Sequence, residues 1–242
     1  DNVIIKEKNG ILDIIFNRPD RKNAINRDMF EKLLNILKDS QSNPNLKAIF
    51  LSGTGDAFSA GGDVKDMAQS NDNATLQQKT ISLRRIMEVS KLLHENSLPT
   101  IAVVNGVAAG AGLALALACD MRIASEKARF TTAFSKVGFS GDFGGSFFLT
   151  KIIGTAKARE LYYFSDIIDA DTAFQLNLVN FYKKDEEMDE FTDFIKDKFR
   201  NLPPIAIKYM KQNLNNAESQ DLDSLLNDEA TFMMICSETE DH

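Results

Sequence analysis

Histidine is nearly absent from this chain, and its scarcity excludes a good deal of chemistry. His94 stands late in a stretch of helical spacing and His242 is the last residue. A lone helical histidine is more often a surface or capping residue than a catalyst. No Ser-His-Asp or Cys-His arrangement can be assembled from two such positions, and no His/Cys metal cluster exists. Cysteine is just as scarce. Cys119 and Cys236 lie far apart, outside any metal-type spacing, so they read as reduced thiols rather than a disulfide framework. The expected compartment is the cytoplasm, or an organelle matrix if a leader has been removed, since the first residue is not Met. Excess positive charge is missing too. The 28 Lys and Arg face 35 Asp and Glu, a net charge of -7. Such a balance argues against a nucleic-acid partner.

A clean membrane-length apolar run is also lacking. The longest candidate, Ile101 to Cys119, is broken at Asn105-Gly106, is largely Ala and Gly, and runs straight into Asp120 and Arg122. It reads as a buried strand feeding a buried helix, so no membrane partner is expected. What remains for catalysis is carboxylate and backbone chemistry.

The chain has 242 residues, 43% of them hydrophobic, enough to bury a sizeable core. "VIIKEKNGILDIIF" is two β runs around the hairpin signal Asn9-Gly10, closed by Pro19. Phe30, Leu33, Leu34 and Leu37 recur at helical spacing after the cap candidate Asn26. A strand "LKAIFLSG" follows, then a glycine-rich loop, a helix from Leu76 to Asn96, and the strand "TIAVVNG". After the turn "AAGAG" come the helix "LALALAC" and the strands "MRIAS" and "ARFTTA". Beyond the glycine-rich "GFSGDFGG", "TAKARELYYF" is helical and "DADTAFQLNLVNFYKK" is a helix and then a strand. Strand pairs alternating with helices imply an α/β architecture with largely parallel pairing. From Asp185 onward strand signals vanish and three helices are expected, with Pro203-Pro204 separating the first from the second.

Two glycine turns, "AFSAGGDVKDM" and "VVNGVAAGAGLA", each follow a strand and precede an expected helix. The second contains a G-x-G pair, but Leu115 stands where a dinucleotide fingerprint needs its third glycine, so NAD binding is disfavoured. Small residues let backbone approach a ligand, and free N–H groups at a helix start are donors for an oxyanion. Two such turns make a two-donor oxyanion hole plausible on physical grounds. Removing one such donor typically costs about 3 kcal/mol in the transition state. In "GFSGDFGG", Asp142 has no Lys or Arg within three positions and sits among Phe139, Phe143, Phe147 and Phe148. It is either a water-facing turn residue or a working acid.

"NRPDRKNAIN", "AFSAGGDVKDM", "VNGVAAGAGLALALACDMRIAS" and "GFSGDFGGSFFLTKIIGTAKARELYYFSDIIDADTAFQLNLVN", in this order, resemble the crotonase, or enoyl-CoA hydratase/isomerase, superfamily. The resemblance implies an α/β, crotonase-like spiral of repeated ββα units over 1–184, which binds acyl-CoA and carries out catalysis. It implies a C-terminal helical oligomerisation region over 185–242, short of a last helix that relatives carry, and a homotrimer or homohexamer. It also implies an acyl-CoA thioester substrate, a place in fatty acid metabolism, and no cofactor beyond the coenzyme A of the substrate.

By position, the N–H groups of Gly62 and Ala111 would hold the thioester oxygen. Ser59, Ala60, Gly61 and Asp63 would hold adenine and pantetheine, Arg21, Lys22 and Ala24 would line the nucleotide entrance, and Lys211 would meet a CoA phosphate. The two hydratase glutamates are replaced by Ala114 and Phe134. Asp142 matches the isomerase acid, with Gly141 where relatives commonly carry proline. The reading is an enoyl-CoA isomerase that moves a double bond by proton transfer through Asp142. Three alternatives stand beside it. One is a hydratase or related lyase. One is an aryl-CoA dehalogenase, weakened because Lys91 replaces the required histidine, with His94 one turn on. The last is a non-catalytic acyl-CoA-binding or RNA-binding relative.

Overall fold

The structure, a computed structural model, describes residues 1–63 and 74–242. The hairpin at Asn9-Gly10 joins β1 (Val3–Lys8) to β2 (Ile11–Phe16), both φ values being positive, as a tight two-residue turn requires. From β2 the large sheet continues through β3 (Ala48–Gly53), β5 (Thr100–Val104), β7 (Met121–Ser125) and β10 (Phe181–Lys183), every one of these pairings parallel. A second sheet runs β4 (Ala57–Ser59), β6 (Val107–Ala109), β8 (Arg129–Thr131) and β9 (Ile168–Asp169), parallel except for its last pair. After the β1–β2 hairpin, the pairs β3/β4, β5/β6 and β7/β8 each send one strand to each sheet. β4 lies inside the stretch that glycine content marks as loop. Its three residues are too short a run to stand out, and all three are buried.

Alternation along the strands places residues on opposite faces of the large sheet. Leu12, Ile14, Ile49, Leu51, Ala102 and Val104 enter the main core, with α1 (Arg27–Ser40) packed on it. Asn26 caps α1, its side chain accepting from the Met29 N–H at 3.0 Å. Ile11, Ala48, Phe50, Ile101 and Ile123 face the other way and are covered by Met188 and Ile195 of the helix Met188–Arg200. Lys196 of that helix reaches Asp13 at 2.8 Å. The expected helix over Leu76 to Asn96 is two, α2 (Leu76–Ile86) and α3 (Glu88–Glu95), meeting at Met87. The chain then forms α4 (Ala111–Ala118), in which every residue is buried, and α5 (Gly145–Ile153). α5 follows the Asp142 loop directly and lacks a polar cap signal, which is why the sequence pattern alone passes over it. α6 (Thr155–Phe164) and the C-terminal helices Pro204–Asn216 and Leu222–Ser237 match expectation. Among the described residues no helix is long and apolar enough to cross a membrane.

Candidate active site

The two glycine turns are locked against each other. A Cβ on Gly61, whose φ is +100°, would lie 2.8 Å from the Ala109 carbonyl oxygen and 3.4 Å from the Ala111 nitrogen. A Cβ on Gly112 would lie 2.5 Å from the Ser59 carbonyl oxygen. Only residues without a side chain allow this approach. Around Gly62 the neighbouring amides are spent: Gly61 N–H donates to Ser59 Oγ and Asp63 N–H to the Ile25 carbonyl. The N–H of Gly62 has no acceptor among the described residues. Ala111 is the first residue of α4, so its N–H lies beyond the helical ladder and is likewise uncommitted among the described residues. Residues 64–73, where this turn leads, lie outside the described residues.

Gly62, Ala111 and Asp142 line one cavity of about 400 Å³. Its apolar wall includes Leu83, Phe134, Val137, Phe139 and Phe143. Asp142 sits at the apex of a contorted loop, with Gly141 at φ +102°, Phe143 at +50° and Gly144 at +72°. Phe143 adopts a conformation unfavourable for a bulky residue. It is held there by burial to 1% exposure and by stacking on Phe30 of α1 at 4.7 Å. At Gly141 a proline is impossible, since its ring locks φ near −65°. The position that the resemblance equates with proline therefore takes a backbone route that only glycine makes easy. One carboxylate oxygen of Asp142, Oδ1, is buried with no hydrogen-bond partner. Burial pushes the Asp142 carboxyl up to about 6. Among the described residues no other titratable side chain lines this cavity. Ala114 and Phe134 are buried, at 1% and 8% exposure.

The nucleotide-side expectations divide. Segments 22–25 and 60–63 are joined, Ala60 N–H donating to the Lys22 carbonyl and Ile25 N–H to the Gly61 carbonyl. Arg21 and Lys22 are half-exposed, and Lys22 pairs with Asp56. Ala24 and Asp63 are clasped by one side chain: the Arg18 guanidinium donates to the Ala24 carbonyl at 2.7 Å and to Asp63 at 3.0 Å.

Two expectations need correction. Ser59 is fully buried, its hydroxyl donating to the Asn23 carbonyl at 2.9 Å while accepting from Gly61 N–H. It braces the turn and cannot present that hydroxyl to a ligand. Lys211 is 7% exposed. Its ammonium pairs with Asp120 at 2.8 Å and donates to the carbonyls of Leu93 and Leu98 at 3.2 and 3.0 Å. Three acceptors occupy it, which does not suit a CoA phosphate contact. His94 borders a different, larger cavity of about 790 Å³, beside Phe147, Phe148 and Glu218. It does not line the Asp142 cavity, which removes the geometric basis for a dehalogenase-like pairing.

Asn23, Arg18 and Phe30 support the site, a role that sequence pattern does not assign to them. Asn23, fully buried at φ +55°, donates to Thr54 and Ala57 carbonyls and accepts from Arg18 N–H. The nearest sequence signal was an Asn beside Lys-Ala between two runs, which is common in any turn.

Gly61→Ala is expected to cost about 1–2 kcal/mol of stability from the left-handed backbone and the clash with Ala109. Turnover should fall by more than ligand affinity, because the Gly62 N–H moves with the turn. Chemical denaturation together with kcat and KM checks this; parent-like kcat would show that the turns tolerate a methyl group.

Comparison with known proteins agrees with this architecture. The family model described as enoyl-CoA hydratase/isomerase matches residues 6–242. The chain is 30% identical to a short-chain-enoyl-CoA hydratase of Clostridium acetobutylicum, covering 100% of this chain and 91% of the relative. It is also 30% identical to the 1,2-epoxyphenylacetyl-CoA isomerase of Escherichia coli, covering 96% and 89%. The crystal structure of an enoyl-CoA hydratase from Bacillus anthracis superposes with a TM-score of 0.93 at 29% identity, covering 100% of this chain and 93% of that one.

Proposed function

The chain belongs to the enoyl-CoA hydratase/isomerase family, and we propose that within it this protein is an acyl-CoA double-bond isomerase with Asp142 as the acid/base. Relatives named for hydration and for isomerisation stand at the same identity, so the choice falls to the residues. The observation that carries it is a buried carboxylate, lifted to about 6, in an apolar cavity with two uncommitted N–H groups and, among the described residues, no second acid. A hydratase needs groups that place and activate water. Here Ala and Phe occupy the two positions the resemblance assigns to that work.

The substrate is an enoyl-CoA thioester. Its carbonyl oxygen accepts from the Gly62 and Ala111 N–H groups, which strengthens the acidity of the adjoining carbon chain. Asp142 takes a proton from that chain; the C–H electron pair passes into a dienolate whose negative oxygen the two donors hold. Asp142 returns the same proton at another carbon, and the double bond has moved. A carboxyl near 6 is a stronger base than an ordinary aspartate and still a usable acid for the return step. Coenzyme A enters only as part of the substrate, with Arg21, Lys22, Ala24 and the Ala60–Asp63 backbone at its nucleotide and pantetheine end. The exposed apolar side chains Leu222, Leu226, Met233 and Met234 on the last helix suit contacts between subunits of a trimer or hexamer.

The test is turnover on matched 3-enoyl-CoA and 2-enoyl-CoA thioesters, with products separated by chromatography. Isomerised thioester without 3-hydroxyacyl-CoA is expected; faster water addition than isomerisation would overturn the assignment. The same assay gives a pH profile. A base must be ionised to act, so kcat/KM should fall as pH drops through about 6, the value to which burial lifts Asp142. An acid limb near 4 would mean the carboxylate works from a wetter setting than the one described.

A further inference from the structure

Behind the Asp142 loop lies a phenol that the reaction above does not use. A Cβ built on Gly141 would lie 2.9 Å from Tyr162 Cε1 and 3.4 Å from its hydroxyl oxygen. One built on Gly145 would lie 2.5 Å from the same hydroxyl and 3.3 Å from the Ala114 methyl. Tyr162, on α6, therefore lies across the turn that has Asp142 at its apex, and its hydroxyl ends beside α4. The turn is closed locally by Gly145 N–H donating to the Asp142 carbonyl at 3.1 Å. Phe134 holds the phenol in place, stacked at 6.1 Å with an interplanar angle of 20°.

The hydrogen-bonding inventory of this nook is unbalanced. The Tyr162 hydroxyl has no acceptor among the described residues. Asp142 Oδ1 is buried and has no donor. Thr132 is committed, donating to the Leu161 carbonyl and sharing a bond with Ser165. Ser140 is exposed at the cavity wall. A buried carboxylate oxygen without a donor is costly when ionised, and an uncommitted phenol packed across the same turn is the natural remedy.

We propose that Tyr162 is a positioning residue for Asp142: its hydroxyl, packed against Gly141 and Gly145 and not bonded to Oδ1 in this structure, closes onto Oδ1 as a donor when the carboxylate is ionised. The inference rests on Asp142 being the base. When Asp142 takes the substrate proton, the bond weakens because the acceptor loses its charge, and Tyr162 keeps its own proton throughout. Burial and the Asp142 charge push the phenol up to about 12, so it stays a donor over the working range. Among the described residues no other titratable side chain lines the cavity, so movement of the acid limb reports on this pair.

Tyr162→Phe keeps the ring and its stacking and deletes only the donor. The expected result is a kcat roughly ten-fold lower with KM nearly unchanged, and an acid limb of kcat/KM about one unit higher, since the charged form loses a stabilising bond. Replacing Tyr162 by 3-fluorotyrosine strengthens the donor within the same shape and should move the limb downward. Limbs that coincide with the parent in both variants would overturn the proposal. Asp142→Asn separates the two levels: full turnover in that variant would bring down the base itself, whereas an inactive Asp142→Asn beside a parent-like Tyr162→Phe would bring down only the role of Tyr162.

Discussion

Asp142→Asn is expected to lower isomerisation at least ~100-fold, the low end of what a general base contributes, while acyl-CoA affinity stays close to the parent value. The amide fills the same space on the same loop, and both oxyanion donors are backbone groups that the substitution does not touch. Steady-state turnover with a separate binding titration checks the split, and unchanged turnover would end the assignment.

The same variant should be more stable than the parent at neutral pH. Folded Asp142 sits near 6, above an unfolded value close to 4. A carboxyl raised on folding binds its proton more tightly in the folded state, so stability declines as pH rises from about 4 to 6 and stays lower above that. Two units would correspond to about 3 kcal/mol as an upper bound, less where water reaches the second oxygen, so a gain of roughly 1–3 kcal/mol at pH 7 is expected for the neutral amide. At pH 4 parent and variant should converge. A site that sacrifices stability for a poised base is a familiar compromise. An asparagine variant less stable than the parent at pH 7 would show that the carboxylate is better solvated than its unpartnered oxygen implies.

Lys211→Met is expected to destabilise the fold by about 3 kcal/mol without weakening acyl-CoA binding. Breaking a buried ion pair typically costs 3–5 kcal/mol because one charge is left unpaired. Asp120 retains 24% side-chain exposure, which places the effect at the lower end. The ammonium also takes the Leu93 carbonyl near the end of α3 and the Leu98 carbonyl just before β5, and methionine offers neither a donor. Burial lowers the Lys211 pKa while Asp120 opposes that shift, as expected of a cation held in place by its partner. A shifted denaturation midpoint at constant slope, with unchanged affinity in the folded protein, is the expected pair of results. A large loss of affinity at parent stability would return Lys211 to the CoA phosphate.

These two residues mark where sequence reading reaches and where it stops. Asp142 was legible because its oddity is local: an acid among phenylalanines and glycines, with no cation nearby. The burial of Lys211 is not legible in sequence because its partners, Asp120, Leu93 and Leu98, are some ninety to one hundred and twenty residues away, and nothing in "IKYMKQNLN" distinguishes a surface lysine from a buried one. The Ser59 hydroxyl is likewise engaged by groups the motif does not reveal, donating to the Asn23 carbonyl and accepting from Gly61 N–H.

What the sequence determined by itself is what short-range physics writes into it. The Asn9-Gly10 hairpin, the α1 stripe under its Asn26 cap, the glycine turn that feeds α4 and the three C-terminal helices follow from turn chemistry, side-chain period and capping. Order along the chain is enough for these. Only the tertiary structure decided which groups meet. It set Gly61 against Ala109 and Ala111, drew the Gly62 and Ala111 amides and Asp142 onto one cavity, stacked Phe143 on Phe30, and laid Tyr162 under the loop. Each of those contacts joins residues from separate elements, and its energy comes from excluding water between surfaces that the chain brings together only by folding.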